Sequence, residues 1–124
     1  VLVVEDDATN RLIITRILRS HAIIPDIAVN GRHAVDAANA KSYDLIFMDI
    51  LMPELDGLDA TRAIRALLQG RHQPRIVALT ASVLPDQQHR YFEAGVNAVL
   101  PKPIKLADIA NELSRHKTTE PKAG

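Results

Sequence analysis

The chain has 124 residues, 15 Lys plus Arg against 15 Asp plus Glu, 47% apolar residues and no cysteine. That length suits one domain around one core, and the missing cysteine excludes a disulfide frame or a thiolate metal site. Zero net charge leaves no electrostatic footprint for nucleic acid, and no apolar run reaches a membrane span, so direct contact with either is not expected.

Val1 to Glu5 is a β-branched run that reads as a buried strand. Ala8 to Ser20 carries apolar residues at 13, 14, 17 and 18, a helical stripe, with Asp7 placed to cap it. Ile23 to Val29 reads as a weaker strand, and Pro25 inside it argues for a sheet edge. Asn30-Gly31 then turns the chain into the helix-like RHAVDAANA. Leu45 to Met48 is a third strand, running straight into Asp49. Leu58 to Leu68 is helical, with Ala60, Ile64, Leu67 and Leu68 on its inner side, Arg62 and Arg65 outside, and Gly70 as its stop. Ile76 to Leu79 is a fourth strand ending at Thr80. Pro85 to Ala94 is a helix with proline in its first turn and Gly95 past its end. Ala98 to Leu100 is a short fifth strand. Ile104 to His116 is a last helix, with Ile104, Leu106, Ile109, Ala110 and Leu113 facing the core. The domain is expected over residues 1–116, and the polar KTTEPKAG of 117–124 reads as a tail or linker. Opening inside a strand, without Met, the chain reads as a segment of a longer polypeptide.

Apolar strands alternating with amphipathic helices imply an α/β fold, a parallel sheet covered on both faces. In such folds ligands gather at the carboxyl ends of the strands. Those ends carry Glu5-Asp6-Asp7, then Asp49, then Thr80, then Lys102 between Pro101 and Pro103. Carboxylates brought together raise one another's pKa, so they stay ionised only beside cations. Lys102 supplies one positive charge, and an oxygen-rich site with few protein ligands suits Mg²⁺. Such a site is fitted to phosphoryl transfer, which needs in-line positioning and charge neutralisation. Asp49 would be the nucleophile and would form an acyl phosphate. Singly, these residues are ordinary: a loop aspartate, a strand-ending threonine, a solvated loop lysine. Their coincidence at successive strand ends favours a site. Asp56 reads as a surface or capping residue, Pro53 and Gly57 as loop-shaping, and Met48 and Met52 as packing residues. The histidines at 21, 33, 72, 89 and 116 show no metal-ligand spacing.

VVEDD, FMDILMPELDG, ALTAS and VLPKP, in that order, resemble the response-regulator receiver domains over nearly the whole chain. The resemblance implies a flavodoxin-like (βα)5 fold, a doubly wound five-stranded sheet of order 2-1-3-4-5 flanked by five helices. It also implies roles. Asp49 would be the phosphoacceptor and a metal ligand, Asp6 a direct Mg²⁺ ligand, Glu5 a ligand partly through water, and the Leu51 backbone carbonyl a further ligand. Thr80 would be the switch hydroxyl that bonds a phosphoryl oxygen. Lys102 would pair with Asp49 or its phosphoryl group, aimed by a cis Lys102-Pro103 bond. The function so implied is a phosphorelay module, a phosphoacceptor and not a turnover enzyme. It would take its phosphoryl group from a phosphohistidine of a histidine kinase or histidine phosphotransfer domain. It would then switch its helix 4–strand 5–helix 5 surface. A monomeric, cytoplasmic domain is expected.

DDATNRLII, MPELDGLDATRAIR and LTASVLPDQQHRYFEAGVNAVLPKPI resemble the receivers fused to hybrid sensor histidine kinases, with a stand-alone regulator, or one joined to an effector domain, as the alternative parent. One position departs from the pattern: Val99 stands where many receivers carry an aromatic residue, so the usual ring movement is unavailable. Two other functions stand beside this one. A haloacid-dehalogenase-type phosphatase also forms an aspartyl phosphate, but its second Asp, two residues after the nucleophile, is here Leu51. A degenerate receiver would bind a protein without being phosphorylated, and the complete acceptor set weighs against it.

Overall fold

The computed structural model describes residues 1–50, 56–81 and 85–119, the side chains of 85, 86 and 115–119 excepted. Its elements run β1 (Leu2–Val4), α1 (Ala8–Ser20), β2 (Asp26–Ala28), α2 (Gly31–Ala40), β3 (Leu45–Asp49), α3 (Gly57–Leu67), β4 (Arg75–Thr80), α4 (Pro85–Ala94), β5 (Ala98–Pro101) and α5 (Leu106–Thr119). The strands form one parallel sheet of order β2-β1-β3-β4-β5, the doubly wound arrangement expected.

Alternation along each strand splits the core in two. Leu2, Val4, Ile46, Met48, Ile76 and Ala78 point to one face, where α2, α3 and α4 bring Ala34, Ala38, Ala60, Ile64, Tyr91 and Ala94. Val3, Leu45, Phe47, Val77 and Leu79 point to the other, against Ile14 and Leu18 of α1 and Ile109 and Leu113 of α5. Because both faces are covered, the central strands are apolar without interruption. Polar side chains at the carboxyl ends of these strands are therefore in the open or in a site.

Capping fixes where the helices begin. Asp7 accepts from the Asn10 N–H at 2.9 Å, Asn30 from His33 at 2.8 Å and Asp56 from Asp59 at 2.9 Å, each satisfying an orphan donor of the first turn.

Four local expectations are corrected. β2 begins only at Asp26, because Pro25 has no N–H for the ladder. Ile24 is thereby left exposed, although the edge position holds. Leu67 and Leu106 are exposed, so the inner faces of α3 and α5 are narrower than the apolar residues alone implied. α5 runs to Thr119, into the stretch read as tail. Arg65 is half-buried, not outside.

All of the Arg65 guanidinium's N–H groups are engaged. Nε and Nη2 donate to the Gly95 carbonyl at 2.9 and 2.7 Å, Nη1 to Gln73 Oε1 and the Pro74 carbonyl at 3.0 and 2.7 Å, and Nη2 also to Asn97 Oδ1 at 2.8 Å. The side chain therefore ties α3 to the connections that lead into β4 and β5, at the amino-end rim of the sheet. Gly95, at φ +114°, makes room for it: a Cβ there would sit 2.9 Å from Arg65 Cγ. Burial pulls the guanidinium pKa down from its ordinary value.

Candidate functional site

At the opposite rim, the carboxyl ends of β1, β3, β4 and β5 bring the expected residues together. β1 pairs with β3, Val4 beside Met48. The next residues, Glu5 and Asp49, thus enter one crevice, the point where strand order reverses. Glu5 is fully buried and Asp49 is 2% exposed, whereas Asp6 reaches solvent. Carboxylate oxygens of Glu5, Asp6 and Asp49 lie within 4.8 Å of one another.

Lys102 enters from the end of β5, its backbone N–H bonded to the Thr80 carbonyl at 2.9 Å and the Lys102-Pro103 bond cis, as expected. Its Nζ lies 2.8 Å from Asp49 Oδ1 and 3.4 Å from Glu5 Oε1. Burial would lower the ammonium pKa, but Asp49 and Glu5 together outweigh it and hold Lys102 above its ordinary value. Glu5 is pushed up to about 8 by burial first, then by Asp49, with Lys102 only partly opposing. One cation is thus too little for this much buried acid.

Glu5 Oε1 is a buried atom that makes no hydrogen bond. Three convergent carboxylate groups, with the buried Glu5 Oε1 held only by the Lys102 ammonium at 3.4 Å, form a hard-donor set suited to a divalent ion of the Mg²⁺ kind. The acidic cluster fits a metal on that ground. The Leu51 carbonyl, expected as a further ligand, lies outside the described residues, as do Met52 and Pro53.

Gly57 closes the loop that follows the acid. Its N–H bonds the Ile50 carbonyl at 2.9 Å, and a Cβ on it would overlap the Asp49 carbonyl oxygen and stand 2.8 Å from Ile50 Cα. The glycine, expected to serve the turn, is needed for this close approach.

Thr80, 4% exposed, sits beside this pocket at the end of β4. Its hydroxyl lies 3.2 Å from that of Tyr91 on α4, itself 4% exposed. Val99 is partly buried against the same apolar cluster that holds Tyr91.

Two contributors escaped the sequence. Arg11 reaches back from α1 to the carbonyls of Glu5 and Asp6 at 3.1 and 3.0 Å, holding the turn that carries the acids. Its position four residues after the cap was the available signal. Tyr91 was readable as a tyrosine on the apolar face of α4, whose hydroxyl would need a partner. Among the histidines, 21, 33, 72 and 89 are exposed and none joins the acidic cluster.

A family profile described as the response regulator receiver domain matches residues 1–114. Hybrid signal transduction histidine kinase B of Dictyostelium discoideum is 40% identical over 119 residues, which cover 88% of this chain and 6% of that protein. Other curated relatives of similar identity are transcription factors. The chain spans only 6% to 21% of the first three curated relatives' length. The receiver domain of sensor histidine kinase PA1611 from Pseudomonas aeruginosa, solved with magnesium in its active-site cleft, is similar at a TM-score of 0.85 and 39% identity, covering 95% of this chain and 96% of that one. The receiver domain of Ssk1 from Saccharomyces cerevisiae, solved with the histidine phosphotransfer protein Ypd1, is similar at a TM-score of 0.86 and 32% identity, covering 91% and 84%.

Proposed function

The chain belongs to the response regulator receiver domain family of two-component phosphorelays, and from that premise we propose that Asp49 is its phosphoacceptor, served by Mg²⁺. The observation that carries this is the Lys102 ammonium, 2.8 Å from Asp49 and 3.4 Å from Glu5, beside an acidic cluster that includes Asp6.

An Asp49 oxygen attacks the phosphorus of a phosphohistidine. A P–O bond forms, the P–N bond breaks, and the imidazole leaves on the donor. Lys102 neutralises charge on the carboxylate and then on the phosphoryl oxygens, and Thr80 donates its hydroxyl to one of them. Glu5, Asp6, Asp49 and the Leu51 carbonyl would hold Mg²⁺, which when bound supplies further positive charge to the transferring group. Arg11 keeps the turn bearing Glu5 and Asp6 in place.

The donor is a histidine kinase or a histidine phosphotransfer domain, a reading supported by the Ssk1 receiver's complex with Ypd1. The parent chain is a hybrid sensor histidine kinase, with this domain on the cytoplasmic side; the support is the hybrid kinase relative and the PA1611 receiver. Among the described residues no helix is long and apolar enough to cross a membrane. The isolated domain is a monomer.

Incubation with a small-molecule phosphodonor and Mg²⁺ tests the central claim. Wild type is expected to gain one acid-stable, base-labile phosphoryl group, and Asp49→Asn none. Equal labelling of the variant would overturn the assignment.

A further inference from the structure

The Tyr91 hydroxyl is buried, belongs to the helix that follows the Thr80 strand end, and is bonded to the Thr80 hydroxyl at 3.2 Å. On the reading that Asp49 is the phosphoacceptor, Thr80 is asked to give its single hydroxyl proton to a phosphoryl oxygen. We propose that Tyr91 is a positioning residue for Thr80: in the resting chain it holds that hydroxyl toward α4, and phosphorylation takes Thr80 away from it.

The geometry supports this in three ways. Both side chains are 4% exposed, so water is a poor substitute partner, and a buried hydroxyl that loses its bond is costly to leave as it is. Tyr91 lies within α4 (Pro85–Ala94) and packs in the cluster that contains Ala78, Ala94 and Val96. A phenol left behind is thus relieved by movement of the helix that carries it. Val99 presents no aromatic ring on β5, and Tyr91 is the aromatic side chain bonded to the switch hydroxyl. Thr80 drawn toward Asp49 therefore acts on α4 directly, through one side-chain pair.

The sign of the effect distinguishes this from a relay in which Tyr91 strengthens donation by Thr80. Tyr91→Phe keeps the ring and removes only the tether. It is expected to bind beryllofluoride with Mg²⁺ three- to tenfold more tightly than wild type, while affinity for Mg²⁺ alone stays unchanged. Equal or weaker beryllofluoride binding would overturn the proposal.

A second measurement does not depend on that variant. The chain has two tyrosines and no tryptophan, so in Tyr43→Phe the tyrosine emission belongs to Tyr91. Beryllofluoride with Mg²⁺ is expected to change that emission, and Asp49→Asn in the same background to abolish the change. Binding with no change in emission would sink the role of Tyr91. Absence of beryllofluoride binding to wild type would sink the phosphoacceptor reading instead.

Discussion

The two rims of the sheet solve opposite problems. At the amino-end rim, Arg65 spends every N–H on a carbonyl or amide oxygen, so a half-buried cation is fully satisfied by neutral groups. At the carboxyl-end rim, the buried carboxyl groups of Glu5 and Asp49 share the Lys102 ammonium, and the exposed Asp6 lies in the same acidic cluster. The first arrangement satisfies its charge within the chain. The second is unfavourable as it stands and is relieved by a ligand, which is the usual character of a functional site.

Substitutions sharpen this contrast, because the two rims should respond with opposite signs. The largest effect is expected for Asp49→Asn, which loses phosphoryl labelling entirely while its metal-free thermal midpoint rises, since one of the crowded acids is gone. A fall in the midpoint would mean that the pocket is a stabilising ion-pair network. Arg65→Met is expected to lose about 2–3 kcal/mol of stability, because charge-assisted hydrogen bonds are removed and several carbonyls lose their donor. Urea denaturation measures this, and beryllofluoride affinity per folded molecule should be unchanged.

Glu5→Gln tests the carboxyl-end rim through pH. The folded pKa of Glu5 lies above its ordinary value, 4.5 moving to about 8. The folded chain therefore holds a proton that the unfolded chain has lost. Stability is fully present below pH 4.5 and falls as pH rises through about 8. Without Mg²⁺ the wild type should weaken over that window, and Glu5→Gln should lack this component and exceed wild type by about 1–2 kcal/mol at its upper end. Denaturant midpoints measured across the window decide it. The smallest effect is expected for Asp7→Ala, about 1 kcal/mol from loss of the α1 cap, with a slight fall in Mg²⁺ affinity because Asp7 follows directly on Glu5 and Asp6 of the acidic cluster.

Most of the architecture was legible because the central strands are apolar on both faces and the helices carry their own start signals. Asp7, Asn30 and Asp56 all cap where a short polar side chain precedes a helical stripe. The acids and Lys102 were legible because they break apolar runs at strand ends. Tertiary context decided the rest. Arg65 looked like a solvent-facing residue, since its partners lie 8 to 32 positions away. The bond between Tyr91 and Thr80 links a strand end to the middle of a helix, which no local pattern encodes. Leu106, apolar in sequence, is exposed at the first position of α5.

Gly57 sets a limit on how this chain can diversify. The backbone that bears the acid and the first residue of α3 are so close that even a methyl group overlaps them. Descendants are thus free to redraw their outward helical surfaces for new listeners, but position 57 is closed to drift. Any library built on this scaffold should recover glycine alone there, whatever output is selected.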